Sequence, residues 1–316
     1  MIGTIAVTDH GWYEFLLGRP DLDEVNFWRP SARRHFDAPN FSPFLFKLRS
    51  PHNAICGFGY YVKWTPLPIW LAWETFGPAN GCATLQEMQD RLAAIRERIR
   101  YEAGPDSSLI GCTLIVQPVF FPREAWVRQP DDWRARTQTD KKYDLTTGEG
   151  RRVWEECLAV ARELAAPGSR DVGYGARRVV ELAPRYGDPA VVRPRLGQRT
   201  FRIAVMDAYE RACAATGEHS LPALDAAHIL PFAQGGPHST SNGILLRADL
   251  HRLFEKGYIT ISPSYRVEVS RRLKEEFHNG RTYYPLQGTR LRLPQRVQDR
   301  PDPEFLRWHN DHVFAA

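Results

Sequence analysis

Apolar and polar positions change period several times along this chain. From Pro43 to Leu48, Phe44, Phe46 and Leu48 alternate, which predicts a half-buried strand. A second strand is expected over Ala54–Trp64, where Gly57 and Gly59 let a backbone or ligand approach closely. Thr84, with Glu87 three residues on, forms a capping box, and Leu92, Ile95 and Ile99 carry the helix to about Tyr101. Leu109–Phe121 is apolar throughout and reads as a buried strand. Gly11–Leu17 and Thr147–Ala166 read as helices, and Asn26–Ser31 as a polar loop. Further on, a helix over 200–216 leads into an apolar strand ending at His228. A glycine-containing loop, a second strand and a short helix from Arg247 to Glu255 follow. The pattern then gives a hairpin (Gly257–Ser262 and Tyr265–Ser270), a helix over 271–277 and a last helix over 303–314.

Between these stretches the composition shifts. Eight of the nine tryptophans lie in residues 1–154, so the chain divides into an aromatic-rich front and a plainer rear. Residues 167–199 carry the prolines, glycines and arginines of a linker, among them Arg177, Arg178 and Arg195. The expected domains are therefore 1–166 and 200–316. A net charge of +5 favours an acidic partner. The five cysteines form no Cys-x-x-Cys pair, so neither structural zinc nor a disulfide framework is expected, and a reducing cytoplasm is. The N-terminus lacks the basic and apolar regions of a signal peptide, and no apolar run reaches the roughly 20 residues that span a bilayer.

The densest chemistry lies in Leu224-Asp-Ala-Ala-His-Ile-Leu-Pro231, Gly235-Gly236, Asn242-Gly-Ile-Leu-Leu246 and Leu250-His-Arg-Leu-Phe254. Hydrolysing a phosphodiester needs an activated water and charge stabilisation at phosphorus, which a neutral histidine and one divalent ion supply. His228, where strand gives way to loop, is placed as a base, and His251, facing back from the helix, as a metal ligand. Asn242 can brace the loop through backbone hydrogen bonds. The spacings, 14 residues from His228 to Asn242 and 9 to His251, resemble the ββα-metal motif of HNH nucleases. That resemblance implies a metal-dependent endodeoxyribonuclease with His228, Asn242 and His251 in the active site. The ion would be Mg²⁺ or Mn²⁺, with Ni²⁺ and Co²⁺ as alternatives. Many HNH nucleases place a liganding aspartate directly before the first histidine. Here that residue is Ala227, and Asp225 is the available acid, reaching the ion if the strand twists or bulges. His238 and His219 read as solvated loop residues, and Trp308 as packing against the domain.

In the front half, Trp70, Trp126 and Trp154 sit in apolar or helical settings and read as core. Trp28, Trp73 and Trp133 sit beside polar or glycine-rich segments, where an aromatic cage for an extruded base would be built. Asn26, Tyr60 and Asn80 are candidate polar partners. The pieces Asn26-Phe-Trp-Arg-Pro-Ser31, Pro43–Leu48, Ile55-Cys-Gly-Phe-Gly-Tyr60 and Leu114–Phe121 resemble EVE domains of the PUA superfamily. The two resemblances together imply an α+β chain, a small twisted β-barrel with flanking helices followed by an HNH domain. They imply a type IV restriction endonuclease that flips and reads 5-methylcytosine or 5-hydroxymethylcytosine in double-stranded DNA. Arg177, Arg178, Arg195, Arg247 and Arg252 would meet phosphates, and two copies would be needed to break both strands. The competing readings are an HNH nuclease indifferent to modification and a binding module with an inactive HNH remnant.

Overall fold

The computed structural model describes residues 1–134, 140–166, 197–278 and 280–315. Arg177, Arg178 and Arg195 of the expected linker lie outside them. The chain divides into two compact units, Met1–Pro194 and Arg195–Ala316.

The first unit is built on a mixed sheet. Its strands are β1 (Ile2–Thr8), β2 (Glu24–Arg29), β3 (Pro43–Leu48), β4 (Ala54–Pro68), β5 (Leu109–Phe120), β6 (Val127–Arg128) and β7 (Asp140–Asp144). They run in the order β2-β5-β4-β3-β1-β7, with β6 also on β4. β1 and β3 are parallel and the other neighbours antiparallel. Helix α1 (His10–Leu17) packs Trp12, Tyr13 and Leu16 on one face with Phe27, Phe44 and Phe46. Helix α4 (Gly148–Ala165) packs Val153, Trp154 and Cys157 on the other with Ile5, Leu45 and Phe58. This double cover corrects the expectation for β3. The strand is not half-buried: all six residues are buried, Lys47 included.

Three further differences have physical causes. Asn26–Ser31 is not a loop through most of its length, because Val25 and Phe27 face the α1 core and β2 pairs Trp28 with Cys112 of β5. Strands β1 and β7 escape a hydrophobicity pattern because β7 is the polar Asp-Lys-Lys-Tyr-Asp, which buries Tyr143 alone and ends the sheet. The closeness that Gly57 and Gly59 allow is to the neighbouring strand β5, its backbone at Gly57 and first a side chain at Gly59. A Cβ at Gly59 would lie 2.4 Å from Ile115 Cγ2, and one at Gly57 2.3 Å from Val119 O.

Helices α2 (Ile69–Phe76) and α3 (Leu85–Arg98) complete the unit. Thr84 Oγ1 accepts from Glu87 N at 3.1 Å, as a capping residue does. Trp154 is core, whereas Trp70 and Trp126 are only half-buried.

The second unit opens with α5 (Gln198–Ala208), which stops short of residue 216 because Glu210 and Arg211 turn to φ of 53° and 57°. Strands β8 (Leu224–His228) and β9 (Gly243–Arg247) and helix α6 (Ala248–Glu255) follow. The β10 (Ile259–Ile261) and β11 (Val267–Val269) hairpin, α7 (Arg272–Phe277) and α8 (Pro303–His312) then cover them. No described helix is long and apolar enough to cross a membrane.

Candidate active site

β8 and β9 pair antiparallel without a register shift, His228 opposite Gly243 and Asp225 opposite Leu246. Beyond them Ile229 N donates to Asn242 O at 3.0 Å. Asn242 is fully buried. Its Oδ1 accepts from Leu230 N at 2.9 Å, and its Nδ2 donates to Leu230 O at 2.9 Å and Pro237 O at 3.0 Å. The loop between the strands is thus stitched to its own base. Gly236 lies against this amide so closely that a Cβ there would sit 1.9 Å from Leu230 O.

The loop fixes His228 at the strand end. Phe201 of α5 lies parallel to its ring, with centroids 3.9 Å apart and 14° between planes. Burial, reinforced by the charges of His238 and His251, pushes its pKa down to about 4. The ring is therefore neutral at pH 7, the form a general base needs. His238 corrects its sequence reading: it is a half-buried partner of His228, with its Nδ1 3.0 Å from His228 Nε2.

Side chains alternate along a strand, so Asp225 and Ala227 share one face and His228 takes the other. Asp225 thus reaches the helix side with no bulge in β8, and its Oδ2 lies 3.5 Å from His251 Nδ1. Two atoms that share an ion at about 2.1 Å each stand roughly 3 Å apart, so this pair fits a divalent cation. Among the described residues no group of three or more His, Cys, Asp or Glu is arranged to hold a metal. A two-ligand seat leaves positions for water and phosphate, which suits Mg²⁺. One turn further on, Glu255 Oε1 lies 3.3 Å from His251 Nε2. An imidazole ligates through one nitrogen, so Glu255 is placed to take the N–H of the other and hold the ring. Sequence reading missed Glu255, although its four-residue spacing from His251 was visible.

Arg247 is already forked onto Asp249 at 3.0 and 2.5 Å, whereas Arg252 is exposed on α6. Near the C-terminus the buried residue is His309, not Trp308. His309 stacks on Phe254 at 3.7 Å and bonds Thr260 Oγ1 and Phe254 O, and its burial lowers its pKa to about 4.

The first unit holds an open cavity of about 1470 Å³ lined by Trp12, Trp28 and Trp133. Arg29, Arg34, Lys47, Arg49, Arg91 and Arg98 also line it, against Asp9 as the one acid among the described lining residues. Asp140 meets Arg29 at 2.7 Å and Glu87 meets Arg91 at 2.5 Å. Lys47 has no carboxylate beside it among the described residues. It is 3% exposed, with its ammonium on Leu48 O and 5.1 Å from the Trp133 ring. Burial and the charge of Arg49 hold that ammonium below its usual pKa.

The cavity gathers two of the expected cage residues and excludes the rest. Asn26 and Asn80 are buried braces: Asn26 Nδ2 donates to Asn80 Oδ1 at 2.9 Å, and Asn80 Nδ2 donates to Ala72 O and Gly77 O. Their indirect contribution is to Trp28, whose indole N–H donates to Asn80 O at 2.9 Å. Trp73 stays half-buried on α2, outside the lining. Tyr60 packs beside Phe58 and the α4 core, where burial raises its pKa to about 12. The lining cations and Trp12 were missed. Lys47 was the visible signal, a charge in an otherwise apolar strand.

The ββα geometry points to the class of the second unit, and the family model agrees. Residues 213–262 match the family model of the HNH endonucleases and form an HNH endonuclease domain. None of the curated proteins compared with the chain matches it. Among solved structures, the ASCH protein from Zymomonas mobilis is similar with a TM-score of 0.32 and 10% identity, covering 50% of this chain and 94% of that one. The modification-dependent restriction endonuclease TagI gives 0.26 and 12%, covering 98% and 81%. The type IV phosphorothioation-dependent restriction endonuclease ScoMcrA gives 0.21 and 15%, covering 79% and 48%. All three scores are below 0.5, so the functional reading rests on the matched segment and the geometry.

Proposed function

We propose that the protein is a modification-dependent DNA endonuclease. Its N-terminal domain, to residue 166, reads 5-methylcytosine or 5-hydroxymethylcytosine, and its domain from residue 200 cuts. The observation that carries the cutting is the Asp225–His251 pair, 3.5 Å apart, with His228 at the end of the strand that bears Asp225 and near enough to His251 to feel its charge. His228 takes a proton from water, and the hydroxide attacks phosphorus. Asp225 and His251 are the residues that would hold a divalent ion, with Glu255 steadying His251. Such an ion, Mg²⁺ or Mn²⁺, stabilises charge on the phosphate and on the departing 3′ oxygen. The basic, tryptophan-lined cavity supports the reading half: its aromatic faces suit a flipped base and its cations suit the flanking phosphates. Because one ββα site cuts one strand, a double-strand break takes two copies.

The test is a single DNA made with cytosine, 5-methylcytosine or 5-hydroxymethylcytosine, incubated with Mg²⁺ or Mn²⁺. Wild type is expected to cut a modified form and spare the plain one. General-base catalysis contributes about 10²–10⁴-fold, so His228→Ala should lose cleavage by that factor or more. Equal cutting of all three forms would remove modification dependence, and no cutting of any would leave a binding module.

A further inference from the structure

His228 has a neighbour that the hydrolysis above does not use. His238 sits in the loop just after Gly236-Pro237, and the Pro237 carbonyl is bound by Asn242 Nδ2 at 3.0 Å, which anchors the backbone beside it. Its ring stacks on Phe232, with centroids 4.5 Å apart and 8° between planes. Phe232 is itself 59% exposed, a large apolar ring left in water beneath one histidine. Phe201, the ring on the far side of His228, lies 5.7 Å from His238. Two phenylalanines thus bracket two histidines joined at 3.0 Å. Titratable groups near the pair include His251 of α6, whose charge acts on His228, and Asp225 of β8, which His251 meets.

A contact between two imidazole nitrogens admits only one proton. If His238 Nδ1 donated it, the neutral His228 ring would carry its own proton on Nδ1 and have no basic nitrogen left for water. If His228 Nε2 donates it, Nδ1 of His228 keeps its lone pair. Resting on the nuclease reading above, we propose that His238 is a positioning residue: it accepts the Nε2 proton of His228, so holding Nδ1 as the base, and takes that proton over during hydrolysis. The water O–H bond breaks as the His228 Nδ1–H bond forms, and the hydroxide's electron pair goes to phosphorus. The His228 Nε2–H bond breaks as the His238 Nδ1–H bond forms, so the positive charge ends on His238. Loss of that proton to solvent, and return of the Nδ1 proton of His228 to Nε2, restore the pair. The half-buried ring of His228, which resists charging, is thereby spared the imidazolium state.

The experiment uses the full chain with histidines labelled with ¹⁵N, and single-turnover cleavage of the DNA form that wild type cuts best. Long-range ¹⁵N–¹H spectra near pH 7.5, assigned with the His228→Ala and His238→Ala proteins, are expected to show His228 protonated on Nε2. His238→Ala is expected to slow cleavage by about 10–100-fold, at the lower end of what a proton-transfer partner contributes, with Mn²⁺ affinity unchanged. His238→Asn offers an acceptor oxygen near the place of Nδ1 but cannot take a proton. It should keep the His228 tautomer, recover only part of the rate and move the acidic limb of the rate profile to higher pH, one opposing imidazolium being gone. A proton on Nδ1 of His228 in the wild type overturns the proposal. So do wild-type rate and pH profile in both His238 variants while His228→Ala is inert. If His228→Ala itself cuts normally, the underlying nuclease reading fails, and the proposal with it.

Discussion

In the second unit, Asp225, His228, Asn242, His251 and Glu255 all come from one ββα segment, and their partners lie within that segment or, for Phe201, shortly before it. In the first unit, the cavity draws Trp12 from α1, Trp28 and Arg29 from β2, Lys47 from β3, Arg98 from α3 and Trp133 from a loop. A cutting site of this kind is a local constellation, closed by a short loop and an asparagine. The cavity proposed to read the base exists only once a sheet has brought distant segments together. The first survives as spacing in the chain, and the second does not.

Breaking the local brace should have the largest effect. Asn242→Ala leaves two carbonyls and one N–H of the loop without partners, and each unsatisfied buried group costs about 1–3 kcal/mol. Cleavage should be lost while binding to modified DNA persists, checked by nicking and by gel shift on one preparation. Retained cleavage would show that the loop holds its shape without the stitch.

The converse variant, Trp28→Ala, should cost about ten- to a hundredfold in preference for modified over plain DNA, the worth of one stacked base. The fold and metal-dependent nicking itself should stay intact. Because the indole also bonds Asn80 O, Trp28→Phe separates stacking from that bond. Unchanged preference in both variants would detach the cavity from recognition.

A smaller effect lies in the support behind the active site. His309 is neutral in the folded chain down to about pH 4, whereas an unfolded histidine takes its proton near 6.5. Stability is therefore present above pH 6.5 and is lost as pH falls from there toward 4, by up to about 3 kcal/mol. Urea unfolding at pH 7.5 and pH 5 should show a smaller drop for His309→Gln than for wild type. An equal drop would assign the acid sensitivity to other groups.

How much could be read beforehand follows the same division. Helix α3 and the β10–β11 hairpin come where capping and alternation put them. That His228, Asn242 and His251 lie on one ββα segment, with Asp225 beside His251, was legible because the motif is short. The partnership of His238 was not, since a loop histidine looks solvated until its loop closes. Asn26 and Asn80 were misread as ligand-facing for the opposite reason: nothing in a linear sequence says that two amides 54 positions apart satisfy each other. Strand β2 was hidden because its partner β5 lies far downstream, Cys112 standing 84 residues after Trp28.

The two ends of the N-terminal sheet have a consequence for how copies of the chain meet. At one end the turn Gly77–Asn80 lies against β2, tied to it through the Trp28 indole. At the other, β7 offers a newcomer a rim of aspartates and lysines, with Lys141 already bound to Asp132. Neither rim invites another strand, the route by which open sheets grow into aggregates. Copies of the chain crowded together would therefore be kept from zipping this sheet to another through those two rims.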